Sequence, residues 1–68
     1  MSRAMKHIFE NIRAELKRRK WSVDSFCEKL GIRRNRFYYW EKANDLPVSY
    51  LIRAAELLEK SVDELINK

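Results

Sequence analysis

Apolar residues recur along the chain at intervals of three and four, interrupted where small, polar or conformationally special residues gather. In "MKHIFENIRAELKRRK" the positions Met5, Ile8, Phe9, Ile12 and Leu16 fall on one stripe of a helix wound at about 100° per residue. The cationic run Lys17–Lys20 that closes this segment suits the negative end of the helix dipole. Ser22 reads as the N-cap of a second, short helix, "VDSFCEKL", with Phe26, Cys27 and Leu30 inward and Gly31 as its stop. A third helix is predicted from Arg33 or Arg34 to about Lys42. A fourth covers "SYLIRAAELLEK", with Leu51, Ala54, Ala55 and Leu58 inward. The stretch "ANDLPV" between them is a connection whose Pro47 is tolerated at or just before a helix start. Ser61 and Glu64 have the spacing of a capping box, and Val62, Leu65 and Ile66 give a fifth helix a small apolar face. No run alternates with period two for long enough to make a strand. The pattern predicts five helices, no sheet, and one all-α domain over residues 1–68.

Size then narrows the chemistry. A chain of 68 residues sits near the lower limit for folding on one core, with no room for a catalytic cleft and its supporting shell. No nucleophile–base pair, metal-ligand set or phosphate-cradling glycine loop is present, so an enzyme, a cofactor and a metal are not expected. The single Cys27 excludes an intramolecular disulfide and reads as a packing residue. His7 is a lone surface histidine, and Trp21 is placed to close the core between the first two helices. No apolar run reaches the ~20 residues of a membrane span. With no signal-peptide pattern at the start, the free thiol points to the cytoplasm.

Charge changes the picture more. Residues 1–42 carry twelve Lys/Arg against five Asp/Glu, a net of +7, whereas residues 43–68 carry three against five, a net of −2. Such lopsidedness marks a polyanion-facing side, with nucleic acid ahead of an anionic membrane surface. "KRRK", Lys17 to Lys20, reads as a solvated helix end that adds to this potential.

The stretch "GIRRNRFYYWEK" concentrates the question, with four consecutive aromatics behind arginines and an asparagine. Winding it as a helix puts Phe37 and Trp40 on one side and Asn35, Tyr39 and Lys42 on the other. Tyr38 and Arg36 fall on the two flanks, and Arg34 lies just outside the Phe37 edge. Phe37 and Trp40 therefore belong to the core, while Tyr38 and Tyr39 look outward among Arg and Asn. Arg and Asn can each make paired hydrogen bonds to guanine and adenine edges. Exposed Tyr and Arg are equally the favoured residues of a protein–protein contact.

The order of elements resembles the lambda-repressor-like (Cro or XRE type) helix-turn-helix family from about Ile8 to Ile66. The likeness rests on "SVDSFCEKLGIRRNRFYYWE", at Ser22, Phe26, Cys27, Leu30, Gly31, Ile32, Phe37, Trp40 and Glu41. It continues through Pro47, Ala55, Leu58 and "SVDELI". The resemblance implies a five-helix bundle with a helix-turn-helix over about residues 22–42, whose third helix enters the major groove of double-stranded DNA. By position it implies Arg34, Asn35, Tyr38 and Tyr39 as base-facing residues, and Arg33, Arg36, Lys42 and Asn44 as phosphate contacts. Ser22 and Val23, opening the second helix, would aim amides at a phosphate.

The chain departs from the family at several positions. Leu16 stands where the family often has an arginine that pairs with the glutamate at Glu41, so Glu41 needs another cation, Arg13 or Lys17, or must face solvent. Val23 replaces a frequent phosphate-gripping glutamine, Ala43 replaces a helix-ending glycine and so allows a longer third helix, and Arg33 is an unusual opener. The resemblance implies a small bacterial or phage-type transcriptional regulator, foremost a repressor, associated with the nucleoid. A monomer of this size reads few base pairs, so a homodimer is expected. The acidic C-terminal part, Val48 to Lys68, is expected as its contact because it lies away from the cationic side. The alternative is a protein-interaction module on the same fold, an antirepressor or antitoxin subunit with a regulatory protein as partner.

Overall fold

Four of the five helices end in the same way, and these ends set the architecture. In a computed structural model, which describes the backbone of residues 2–66 and the side chains of residues 7–66, the order is α1 (Ser2–Arg19), α2 (Val23–Leu30), α3 (Arg34–Ala43), α4 (Val48–Leu58) and α5 (Val62–Ile66). After each of the first four helices one residue turns left-handed: Lys20 (φ 61°), Gly31 (φ 82°), Asn44 (φ 59°) and Glu59 (φ 56°). The following N–H donates back to the carbonyl five residues earlier, Trp21 to Leu16, Ile32 to Cys27, Asp45 to Trp40 and Lys60 to Ala55, at 2.9–3.0 Å. This is the Schellman arrangement, which satisfies the otherwise orphaned last carbonyls and turns the chain sharply.

These ends refine the boundaries read from sequence. Lys20 leaves α1 instead of completing its last turn, and Lys60 lies beyond α4. Ala43 extends α3 by one residue past Lys42, and Asn44, a side chain that tolerates the left-handed region, takes over the stop. At the helix starts, the Ser22 side chain accepts the Ser25 N–H at 3.1 Å, closing the N-cap of α2. Ser61 and Glu64 complete their capping box at 2.8 and 3.1 Å, with each backbone N–H donating to the other's side chain. No residue caps α3 with its side chain, because Arg33 has none suited to the task.

The inward residues of all five helices meet in one core, which includes Ile8, Phe9, Ile12, Leu16, Phe26, Cys27, Leu30, Phe37, Leu51, Ala54, Ala55, Leu58 and Leu65. The Met5 side chain, read as part of the α1 stripe, lies outside the described residues. At the centre the Phe37 ring meets Phe9 (5.7 Å) and Phe26 (6.1 Å) edge to face, pairs that each contribute about 0.5–1.5 kcal/mol beyond area burial. Leu46, from a connecting segment, is buried with them. Trp21 is half-buried against the core, flanked by Arg19 and Lys29 at 5.7 and 5.2 Å from its ring.

Polar links tie the layers together. The Asn11 amide donates to the Leu65 carbonyl at 2.6 Å, joining α1 to α5. Arg19 donates to the Leu58 carbonyl at the end of α4. Glu15 gathers Arg18 (2.8 Å), Arg19 (3.5 Å) and Lys60 (3.6 Å), one carboxylate shared by three cations, two of them from the "KRRK" run. His7 is partly exposed beside Glu10, 3.5 Å away. The extents are 28 × 22 × 19 Å, and no helix among the described residues is long and apolar enough to cross a membrane.

Candidate nucleic-acid interface

The third helix divides its aromatics as winding requires. Phe37 and Trp40 are buried, whereas Tyr38 is 43% and Tyr39 is 68% exposed. Arg33, Arg34, Asn35, Arg36, Tyr38, Tyr39 and Lys42 are all exposed, so the residues of α3 and its start expected to face bases or phosphates are open to solvent. The surface has two flanks with different chemistry.

On the flank toward α1, Arg13 spans the helices. Its Nε and Nη2 donate to the two Glu41 carboxylate oxygens at 2.6 and 2.8 Å, and its guanidinium lies 5.6 and 5.7 Å from the Phe37 and Tyr38 rings. Hydrogen bonding to Glu41 raises the Arg13 pKa above its ordinary value, against a smaller opposing effect of burial. With Leu16 buried, Arg13, one turn earlier on α1, supplies the cation that Glu41 needs. Glu41 is the sole carboxylate within α3, and this pair neutralises it.

Between this flank and α2, Arg34 reaches Asp24 at 3.4 Å, with both side chains more than half exposed. Such a pair is worth well under 1 kcal/mol and is easily exchanged for another anion. Asp24 also occupies the first turn of α2, where the helix dipole would otherwise favour a bound phosphate. Ser22 spends its hydroxyl on the cap, and the Val23 side chain packs on the core. What these two residues offer a phosphate is backbone N–H, as expected of a helix start, with Asp24 competing for it.

On the other flank an open groove of about 1000 Å³ runs between the α2–α3 turn, α3 and the start of α4. Asn35, Arg36, Tyr39 and Trp40 form its α3 wall, Gly31, Ile32 and Arg33 its end, and Tyr50 its α4 wall, with Glu28 on the rim. Trp40 and Tyr50 pack at 5.1 Å between ring centroids. Arg36 lies 5.9 Å from the Trp40 ring, and Arg53 lies 5.5 Å from the Tyr50 ring. Tyr50, Arg53 and Glu28 were not singled out by sequence. The α4 periodicity puts Tyr50 and Arg53 on a common side, but nothing in it says that this side borders α3. Lys42 and Asn44 lie at the far end of α3, Lys42 exposed and Asn44 half-buried in its left-handed turn.

Cys27 is buried, and that burial pushes its thiol pKa up, as for an inert packing thiol. No cluster of metal-ligating side chains occurs among the described residues. Comparison of the chain with protein-family models, with curated proteins and with solved structures finds no match.

Proposed function

We propose that this protein binds double-stranded DNA in a sequence-specific manner, as a small lambda-repressor-like regulator with α2 and α3 as its helix-turn-helix. In this reading α3 enters the major groove, where Asn35, Tyr39, Tyr38 and Arg34 meet base edges. Arg33, Arg36, Lys42, Asn44 and the amides at Ser22 and Val23 meet phosphates. One observation carries the reading. The exposed side of α3 combines cations, an amide and two tyrosines, while Arg13 cancels the helix's sole carboxylate. A surface so arranged attracts a polyanion and retains hydrogen-bonding groups for bases.

A regulator of this size reads few base pairs, so the protein is proposed to act as a homodimer on half-sites ~10 bp apart, and foremost as a repressor that occupies its operator. The dimer contact is placed on the C-terminal part, where Val48 and Ile52 stand exposed one turn apart on α4. The last two residues of that part, 67 and 68, lie outside the described ones.

The second reading, a protein-interaction module, draws on Asp24 and Glu28. These acids flank the α3 start and suit a mixed-charge protein partner better than a phosphate backbone.

Selection from a randomised duplex library, followed by titration of the winner at two salt concentrations, separates the readings. Recovery of an inverted repeat, with Asn35→Ala and Tyr39→Ala lowering its margin over random DNA, supports the regulator. Binding that is weak, steeply salt-dependent and indifferent to sequence sinks sequence-specific readout and turns the search to a protein partner. Light scattering of the DNA complex tests the dimer, which a single bound copy per half-site pair overturns.

A further inference from the structure

The described arginines divide into two groups. Arg13, Arg18, Arg19 and Arg34 each have a carboxylate partner. Arg33, Arg36 and Arg53 form no ion pair among the described residues. Arg33 and Arg36 line the groove between the α2–α3 turn and α4, and Arg53 lies beside two of its lining residues, Gly31 and Tyr50. Arg53 comes from residues 43–68, which carry a net charge of −2, yet its Nη2 sits 3.8 Å from where a side chain at Gly31 would begin. A side chain there would meet the guanidinium at ordinary van der Waals distance, whereas the left-handed backbone (φ 82°) would be strained.

Two of these guanidiniums lie on rings. Arg36 lies over Trp40 and Arg53 over Tyr50, and the rings pack on each other at 5.1 Å. A guanidinium on an aromatic face keeps its N–H edge turned outward and loses less rotamer freedom on capturing an anion. The same stacking covers the ring faces, and Trp40 is only 8% exposed. Trp40 therefore offers a nucleobase no free platform, whereas an oxyanion finds donors already oriented. Glu28 on the rim is the opposing charge.

We propose that Arg36 and Arg53, set on Trp40 and Tyr50, form a phosphate-binding subsite that takes a backbone phosphodiester outside the bases faced by α3. This assignment rests on the DNA reading and extends the nucleic-acid contact onto α4. One gripped phosphate contributes about 0.9 to the slope of log affinity against log salt, about an eightfold gain at 0.1 M over 1 M salt.

The test titrates a random-sequence 20-bp duplex at several salt concentrations with the wild type, Arg53→Gln, Arg53→Lys, Tyr50→Leu and Glu28→Gln, each checked for folding by thermal melting. In parallel, amide shifts of the wild type are followed with inorganic phosphate alone. The expected result is that Arg53→Gln loses about one unit of slope, and Tyr50→Leu loses affinity although its charge is unchanged. Arg53→Lys keeps the slope but loses part of the affinity, because it retains the charge without the stacked guanidinium, and Glu28→Gln binds more tightly. If the wild type binds duplex but folded Arg53→Gln keeps the full slope, the subsite is wrong and the DNA reading stands. If the wild type ignores duplex while phosphate shifts Gly31 and Tyr50, the DNA reading and the backbone assignment both fall, and the groove serves a phosphate on another molecule. If neither probe binds, both proposals fail together.

Discussion

Arg13→Gln and Glu41→Gln remove opposite halves of one contact, and the geometry fixes what each should do. The pair makes two charge-assisted hydrogen bonds, at 2.6 and 2.8 Å, with side chains 42% and 29% exposed. Fully exposed ion pairs are worth about 0.2–1 kcal/mol, and hydrogen bonds to charged groups about 1.5–3. Discounted for solvent screening, the coupling should be about 1–1.5 kcal/mol, and losing it should lower the melting temperature of a domain this small by about 5–10 °C. A double-mutant cycle by urea titration at pH 7 measures it. Duplex binding by the same variants should move in opposite directions. Arg13→Gln bares a carboxylate beside Tyr38, and at ~10 Å from a phosphate in water this costs about 0.4 kcal/mol, about twofold in affinity. Glu41→Gln frees the arginine and gains a similar factor, and the double variant returns near the wild type. Coupling below about 0.3 kcal/mol, or affinities that shift the same way in both single variants, would refute the bridging role.

Glu59→Gly should stabilise the protein by about 1 kcal/mol, because Glu59 ends α4 in a left-handed conformation that a side chain resists; chemical denaturation reads the gain. Glu15 and Glu64 have pKa values held below the ordinary carboxylate value, Glu15 first by its hydrogen bond with Arg18 and Glu64 first by the backbone N–H of Ser61. Groups depressed in the folded state contribute stability that is fully present above the unfolded pKa, about 4.3. That stability is lost as pH falls through the lower folded values. Melting temperature measured from pH 6 to pH 2 should therefore drop below about pH 4.3, and the drop should be smaller in Glu15→Gln and Glu64→Gln. Cys27, buried and with its pKa raised, should react with a thiol reagent at pH 8 only as fast as the fold opens; urea below the transition should accelerate it.

The five helices and their inward faces were legible because apolar spacing, two serine caps and one glycine stop all agree on them. The left-handed stops at Lys20 and Glu59 were not, since neither residue type favours that conformation and only the tertiary path of the chain imposes it. Leu46 passed as a connector residue because a single apolar residue in a polar loop has no periodicity to betray its burial. At the interface, the split between Phe37/Trp40 and Tyr38/Tyr39 follows from winding one helix. Arg13 was one of two cations named for Glu41, and only packing could choose between them. Tyr50 and Arg53 escaped notice because the wall they form depends on how α4 crosses α3, which no local pattern encodes. The competing carboxylate of Asp24 escaped for the same reason, since its proximity to Arg34 spans the turn between two helices.

The Schellman ends also bear on the order in which the chain folds. A helix and its own turn involve residues five apart at most, so each can form within about a microsecond wherever the chain happens to be. The hydrogen bond from Asn11 to Leu65 is different, because it joins residues 54 positions apart. Closing a loop of that length costs about 3.5 kcal/mol of chain entropy before the contact returns anything. We predict that the five-residue α5, the shortest of the helices, opens more readily than the other four. Hydrogen exchange should then be fastest in α5 among the five helices, and its brief departures should uncover the seat of Leu65 while the α2–α3 surface stays assembled.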